Sequence, residues 1–133
     1  MSSFEDYQQW YHGSPLELTV LRAGSMVTPF ANVARAFSHK PSLMCFGDTP
    51  ESVRHNGAEP GILYVIGEPI TADDLEVLPD TADTHWQITR QLRLRRLAEV
   101  PITEPPLLSA EEVARMYEEN PEWATTTGFV SRP

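Results

Sequence analysis

Between residues 26 and 39 the apolar positions Phe30, Val33, Ala34 and Phe37 fall at i, i+3, i+4 and i+7, the spacing of one helix face. Thr28 suits the N-cap, and Pro29 suits the first helical position, where its missing N–H costs nothing. The pattern predicts a helix over 29–38, ended by Pro41. A second stripe, Ala110, Val113, Met116 and Tyr117, follows the capping box Ser109-Ala110-Glu111-Glu112 and stops at Asn120-Pro121, predicting a helix over 109–119. Between the helices the periodicity changes. Gly61-Ile62-Leu63-Tyr64-Val65-Ile66-Gly67 is continuously apolar and bounded by glycines, as a central strand buried on both faces would be. Shorter extended runs are expected at 43–46 and 75–78. From 85 to 102 the apolar residues change phase, which predicts two strands joined near Arg90-Gln91-Leu92, with a helix over 88–97 as the alternative. Residues 16–21 read as a short extended segment or irregular crossing, and 71–74 as one helical turn. Residues 51–60 and 80–84 read as loops. Residues 1–9 read as a helical turn or an arm on the sheet, and 123–133 as a tail docked by Trp123 and Phe129. The sum is an α+β fold.

Composition narrows the function classes. At 133 residues with no break in composition, 1–133 is most simply a single domain. A formal net charge of −9 argues against a protein built to hold a phosphodiester backbone, so nucleic acid is not an expected partner. The four arginines between Arg90 and Arg96 are a local exception, read as a solvated strand face that could receive a pyrophosphate or an acidic partner. The one cysteine, Cys45, allows no internal disulfide and no zinc-ligand spacing. No apolar run approaches the ~18 residues of a membrane span, and residues 1–9 lack the layout of a signal peptide. The expectation is a cytoplasmic protein with no membrane partner and no metal.

The densest chemistry lies in Trp10-Tyr11-His12-Gly13-Ser14-Pro15. Two aromatics suit a half-buried strand, His12 offers a ring that donates or accepts, Gly13 lets a ligand approach bare backbone, and Ser14-Pro15 stops the strand. The structural reading of His12 is a strand histidine satisfied by a neighbouring carbonyl. Cys45 lies in an apolar run, surroundings that make a thiol a poor nucleophile. His39, His55 and His85 have no spacing that would gather a metal.

Tyr11-His12-Gly13-Ser14 resembles the opening motif of the ADP-ribosyltransferase fold, in the histidine-type branch that includes the rifamycin ADP-ribosyltransferases. The order of elements from about 10 to 102 is similar too, and Tyr64-Val65-Ile66-Gly67-Glu68-Pro69 followed by Asp73-Asp74 resembles the family's central strand, Glu-Pro pair and catalytic aspartate. Two departures stand out. Val27-Thr28 occupies the place of a nicotinamide-stacking tyrosine, and the late-strand glutamate has no counterpart nearer than Gln87.

The resemblance implies two small, split sheets, mixed and mostly antiparallel, around a cleft, with the helix over 29–38 on one side and the helix over 109–119 on the other. It also implies a transferase of the glycosyltransferase class that cleaves NAD, its substrate, between nicotinamide and ribose and passes ADP-ribose to a small molecule or protein. In that scheme His12 holds ribose hydroxyls, Gly13 fixes the carboxamide, Tyr11 and Thr28 line the site, and Phe30 or Trp86 stacks. Asp73 or Asp74 orients the ribose or acceptor, with Gln87 in the place of the glutamate. The other reading is a module of the same fold that has lost chemistry and binds or inhibits. Each residue also has a structural role to weigh: Thr28 as N-cap, Asp73 and Asp74 as first-turn carboxylates, Trp86 as core.

Overall fold

The computed structural model describes residues 8–77, 85–120 and 128–131. The expectations for residues 1–7, Leu78, the loop at 80–84 and Trp123 lie outside them. The strands are β1 (Tyr11–Ser14), β2 (Val20–Leu21), β3 (Met26–Val27), β4 (Leu43–Phe46), β5 (Arg54–His55), β6 (Gly61–Ile66), β7 (Leu75–Val77), β8 (Trp86–Ile88), β9 (Leu92–Val100) and β10 (Gly128–Ser131). Two α-helices, α1 (Ala31–Phe37) and α2 (Ala110–Glu119), complete a mixed α+β domain.

Among the described residues the strands form three sheets rather than two: β1-β6-β9-β2, β3-β8-β7 and β10-β4-β5. All pairings are antiparallel except β10 on β4. The first two sheets meet where Tyr11 and Thr28 exchange backbone hydrogen bonds of 2.7 and 2.9 Å. β6 is central, as its apolar run predicts, with β1 on one side and β9 on the other. The change of phase between 88 and 92 does mark two strands, but they join different sheets, because the turn at 89–91 carries the chain from β8 across to β6.

Residues 16–21 are mostly a crossing and not a strand. β1 lies on one flank of the four-stranded sheet and β2 on the other, so the chain must pass over β6 and β9. Tyr64, fully buried, pins that passage: its hydroxyl donates to the Leu16 oxygen and accepts from the Leu18 amide, each at 2.8 Å. In β9 the register shifts opposite Leu63 and Tyr64, leaving Leu97 as the extra, exposed residue of a bulge.

β4 explains its own four-residue apolar run. Met44 and Phe46 pack with Val33 and Ala36 of α1, whereas Leu43 and Cys45 pack with Leu108 and Met116 on the α2 side. Alternate residues of one strand thus serve two helices. α2 begins where the capping box predicts, with Glu112 N donating to Ser109 Oγ and Ser109 N donating to Glu112 Oε1, both at 3.0 Å. Its stripe is narrower than expected, since Ala110 is exposed.

α1 starts later than its pattern predicts. Thr28 is drawn into the bridge with Tyr11, so its hydroxyl oxygen accepts from Phe30 N at 3.2 Å in the approach to the helix, and Phe30 stands at the N-cap with no side-chain bond. The expected loop at 51–60 contains a 3-10 turn and β5, and residues 128–131 of the expected tail form β10.

A candidate site at the junction of two sheets

α1 lies directly on β1. A Cβ on Gly13 would overlap the Ala34 oxygen and the Ser38 amide, and one on Gly61 would overlap Ser38 Oγ. The missing side chain at Gly13 is therefore filled by helix backbone. The close approach that the glycine allows in that direction is made by α1. The close approach brings Ala34 and Phe37 over the β1–β3 junction, where a pocket of about 70 Å³ is lined by Tyr11, His12, Gly13, Val27, Thr28 and His85 among others.

His12 is half-buried and anchored, its Nδ1 lying 2.8 Å from the Met26 oxygen. A carbonyl only accepts, so Nδ1 carries the hydrogen, and Nε2 is the acceptor that this ring can offer to the pocket. Burial holds the ring below the ordinary imidazole value, against the opposing effect of the Met26 bond. His85 is buried and pushed by burial to about 4, and its ring meets Phe37 edge-on with centroids 5.0 Å apart. Both imidazoles are thus neutral near pH 7, and no charged side chain is among the described residues lining the pocket. It suits a flat group carrying a hydrogen-bond donor.

Of the residues singled out in the sequence, Tyr11, His12, Gly13 and Thr28 are brought together here. The Tyr11 hydroxyl donates to Gln9 Oε1 at 2.6 Å. The other candidates are placed elsewhere. Phe30 packs on the core between α1 and β4. Trp86 is core, 4% exposed, with its ring edge-on to Trp10 at 4.8 Å. Gln87 donates to the Gly24 oxygen at 3.1 Å.

Asp73 and Asp74 lie on a 3-10 turn outside the pocket lining. The Asp73 oxygen accepts from Thr89 Oγ1 at 2.9 Å. Asp74 accepts Thr71 N at 2.8 Å and Arg90 Nε at 2.9 Å, and Arg90 also reaches Glu68 at 3.0 Å. Glu68 accepts the Arg93 amide at 2.6 Å as well. These groups latch the β6–β7 connection to the β8–β9 turn, and Arg90 followed by the Thr71 bond holds the Asp74 carboxyl below its ordinary value. The stability that Asp74 contributes is expected in full above its ordinary value of 3.8 and lost as pH falls below it. An Asp74→Asn chain should be less stable than wild type at pH 7 and converge with it in strong acid, read by denaturant unfolding across pH.

The sequence drew attention to His85 only as a failed metal ligand and to Phe37 only as core. No local signal marks either. The antiparallel register of Val27 with Trp86 sets His85 beside Thr28, and α1 delivers Phe37. Among the described residues, no three His, Cys, Asp or Glu converge to hold a metal, and no helix is long and apolar enough to cross a membrane. A more open groove of about 600 Å³ includes Pro15, Ile62 and Arg96 in its lining, but Arg96 is met there by Glu17 at 3.4 Å and Glu99 at 3.1 Å.

No family model, curated protein or solved structure matches this chain. Pocket chemistry, and the resemblance of the Tyr-His-Gly-Ser motif, are then what a functional reading draws on.

Proposed function

We propose that the chain is a binding module of ADP-ribosyltransferase-like architecture that takes the nicotinamide-ribose end of NAD into the His12 pocket. One observation carries this: His12 is tied through Nδ1 to Met26 and can offer Nε2 as an acceptor in a pocket walled by aromatic rings, with no cation among its described lining residues. A ribose hydroxyl or a carboxamide N–H is the matching donor. Two sheets meeting at the Tyr11–Thr28 bridge, with the pocket at their junction, support the split-sheet architecture. The pocket is well below the ~300–1,000 Å³ that buries a drug-sized ligand, so only the nicotinamide-ribose end of the dinucleotide would enter. With no cation among the described lining residues, the pyrophosphate would remain outside.

Binding is favoured over cleavage by the placement of the carboxylates. Breaking the glycosidic bond develops an oxocarbenium ion, which needs negative charge close by. Neither Asp73 nor Asp74 lines the pocket, Asp74 is engaged by Arg90, and Gln87 is neutral. Transfer of ADP-ribose to a small molecule or protein is the second reading, favoured by the β-ladder. Glu76 stands opposite Gln87, and Gln87 opposite Met26, so a carboxylate shares a sheet face with the residue that anchors His12.

NAD at 100 times its dissociation constant is expected to stabilise the chain by ~2.7 kcal/mol in thermal or denaturant unfolding. His12→Ala should cost ~1 kcal/mol of stability through the lost Met26 bond and ~1–2 kcal/mol of NAD affinity per folded molecule. Absence of any shift at millimolar NAD would refute the NAD reading. Release of nicotinamide by the wild type, abolished by Glu76→Gln, would replace binding with cleavage, and ADP-ribose recovered on an acceptor and not as the free sugar would make it transfer.

A further inference from the structure

His39 and His55 are stacked rings with no exposed surface, their centroids 4.8 Å apart and their planes 17° from parallel. Their hydrogen bonds are not equivalent. His55 Nδ1 accepts the Gly57 amide at 2.9 Å, and its Nε2 lies 2.9 Å from the Pro105 oxygen. One donor and one acceptor describe a neutral ring with its hydrogen on Nε2. His39 instead has Nδ1 2.7 Å from the Glu59 oxygen and Nε2 2.8 Å from the Glu104 oxygen. Carbonyl oxygens only accept, and a neutral imidazole has a single N–H. A neutral His39 would hold one nitrogen lone pair against an oxygen lone pair in a buried interior, where an unmade hydrogen bond is costly.

We infer that His39 is an imidazolium in the folded chain, and that its proton clamps the end of α1 to the two segments carrying Glu59 and Glu104. The joint has further ties. The His39 oxygen accepts the amides of Ala58 and Glu59 at 3.2 and 3.3 Å, and Gly57 leaves the space that the His39 Cβ occupies. On the other side, the His55 amide donates to the Pro106 oxygen at 3.3 Å and its oxygen accepts Leu108 N at 2.7 Å. The stacked neutral ring of His55 lays a π face against the cation.

The surrounding ionisable groups leave the proton on His39. From β5 come His55 itself and Arg54, whose guanidinium is closed by Glu112 of α2 at 2.6 Å. From the two loops come Glu59 and Glu104, both exposed and bonded to His39 only through main-chain oxygens. Lys40, next in the chain, is exposed. Burial, and after it the charge on His39, hold His55 below the ordinary imidazole value. The clamp lies two residues beyond Phe37, which forms a pocket wall with His85, so losing the proton frees the helix end that carries that wall. This holds whatever the pocket binds.

The test uses the full chain with ¹⁵N-labelled histidine. Ring-nitrogen NMR spectra at pH 7 are expected to show one histidine with both nitrogens protonated, a pattern absent from His39→Gln. Denaturant unfolding above pH 6.5 should show stability falling as pH rises. The folding equilibrium constant should drop by up to tenfold per unit while the folded state keeps a proton that the unfolded chain has lost. In His39→Gln, which keeps one donor and one acceptor, that slope should flatten. The other histidines cannot produce it: His12, His55 and His85 are held low, so they cost stability as pH falls below 6.5, in the case of His85 down to about 4. A singly protonated His39 in the folded wild type at pH 7, or equal slopes for the two chains above pH 6.5, would overturn the inference. Should His39→Gln fail to fold, the wild-type spectrum, assigned through the contact of His39 with His55, decides alone.

Discussion

Gly13→Ala is expected to destabilise the domain by ~3 kcal/mol or more, near the upper end for overpacking, because the added methyl meets backbone and not a side chain that could swing away. The Ala34 oxygen and the Ser38 amide belong to the helix itself, so relief requires α1 to lift from β1 as a unit. Lifting α1 would also move Ala34 and Phe37 away from His12. Stability and NAD affinity should therefore fall together. Gly67→Ala is the control, since a Cβ there would meet nothing nearer than 3.4 Å, and its cost should stay below ~1 kcal/mol. Denaturant unfolding of both chains separates the cases. A Gly13→Ala chain as stable as the control would mean that the helix does not rest on β1 as described.

Trp86→Ala is expected to cost ~3–5 kcal/mol, the range for removing a large buried aromatic. Trp86 lies in the cluster of Trp10, Leu21, Val27, Leu75, Ile88 and Leu92, which joins the four-stranded sheet to β3-β8-β7. Its edge-on contact with Trp10 spans that joint. Trp86→Phe should recover more than half of the loss, because a ring still meets Trp10 and most of the apolar area remains buried. Since Trp86 does not line the pocket, NAD affinity per folded molecule should survive in Trp86→Phe. Loss of affinity without loss of stability would instead restore the stacking role that the family resemblance implies for Trp86.

The two replacements bear on different layers of information in the chain. The β6 run, the α2 capping box and the two-helix apolar periodicity were legible because each is decided by neighbours within one or two turns or along one strand. The strand break near residue 90 was legible for the same reason. Which sheets those strands join was not, because pairing is chosen by contacts far apart in sequence: Val27 with Trp86, Tyr11 with Val65. The site followed the same division. Tyr11, His12, Gly13 and Thr28 could be singled out, and they meet. Phe30 and Trp86 could not be told from stacking residues, because an aromatic on an apolar face reads alike in a core and in a pocket.

By itself the sequence determined the identity of the strand that carries His12, the two helices, the buried central strand and the net negative charge. These depend on local periodicity and net composition. Only the tertiary structure decided that Gly13 makes room for a helix, that Asp74 and Glu68 are engaged by Arg90, and that His85 and Phe37 wall the pocket. It likewise decided that His39 faces two acceptors. Each of these is a matter of which backbone or charge arrives from a distant segment, and hydrogen-bond counts and close approaches exist only once those segments have met.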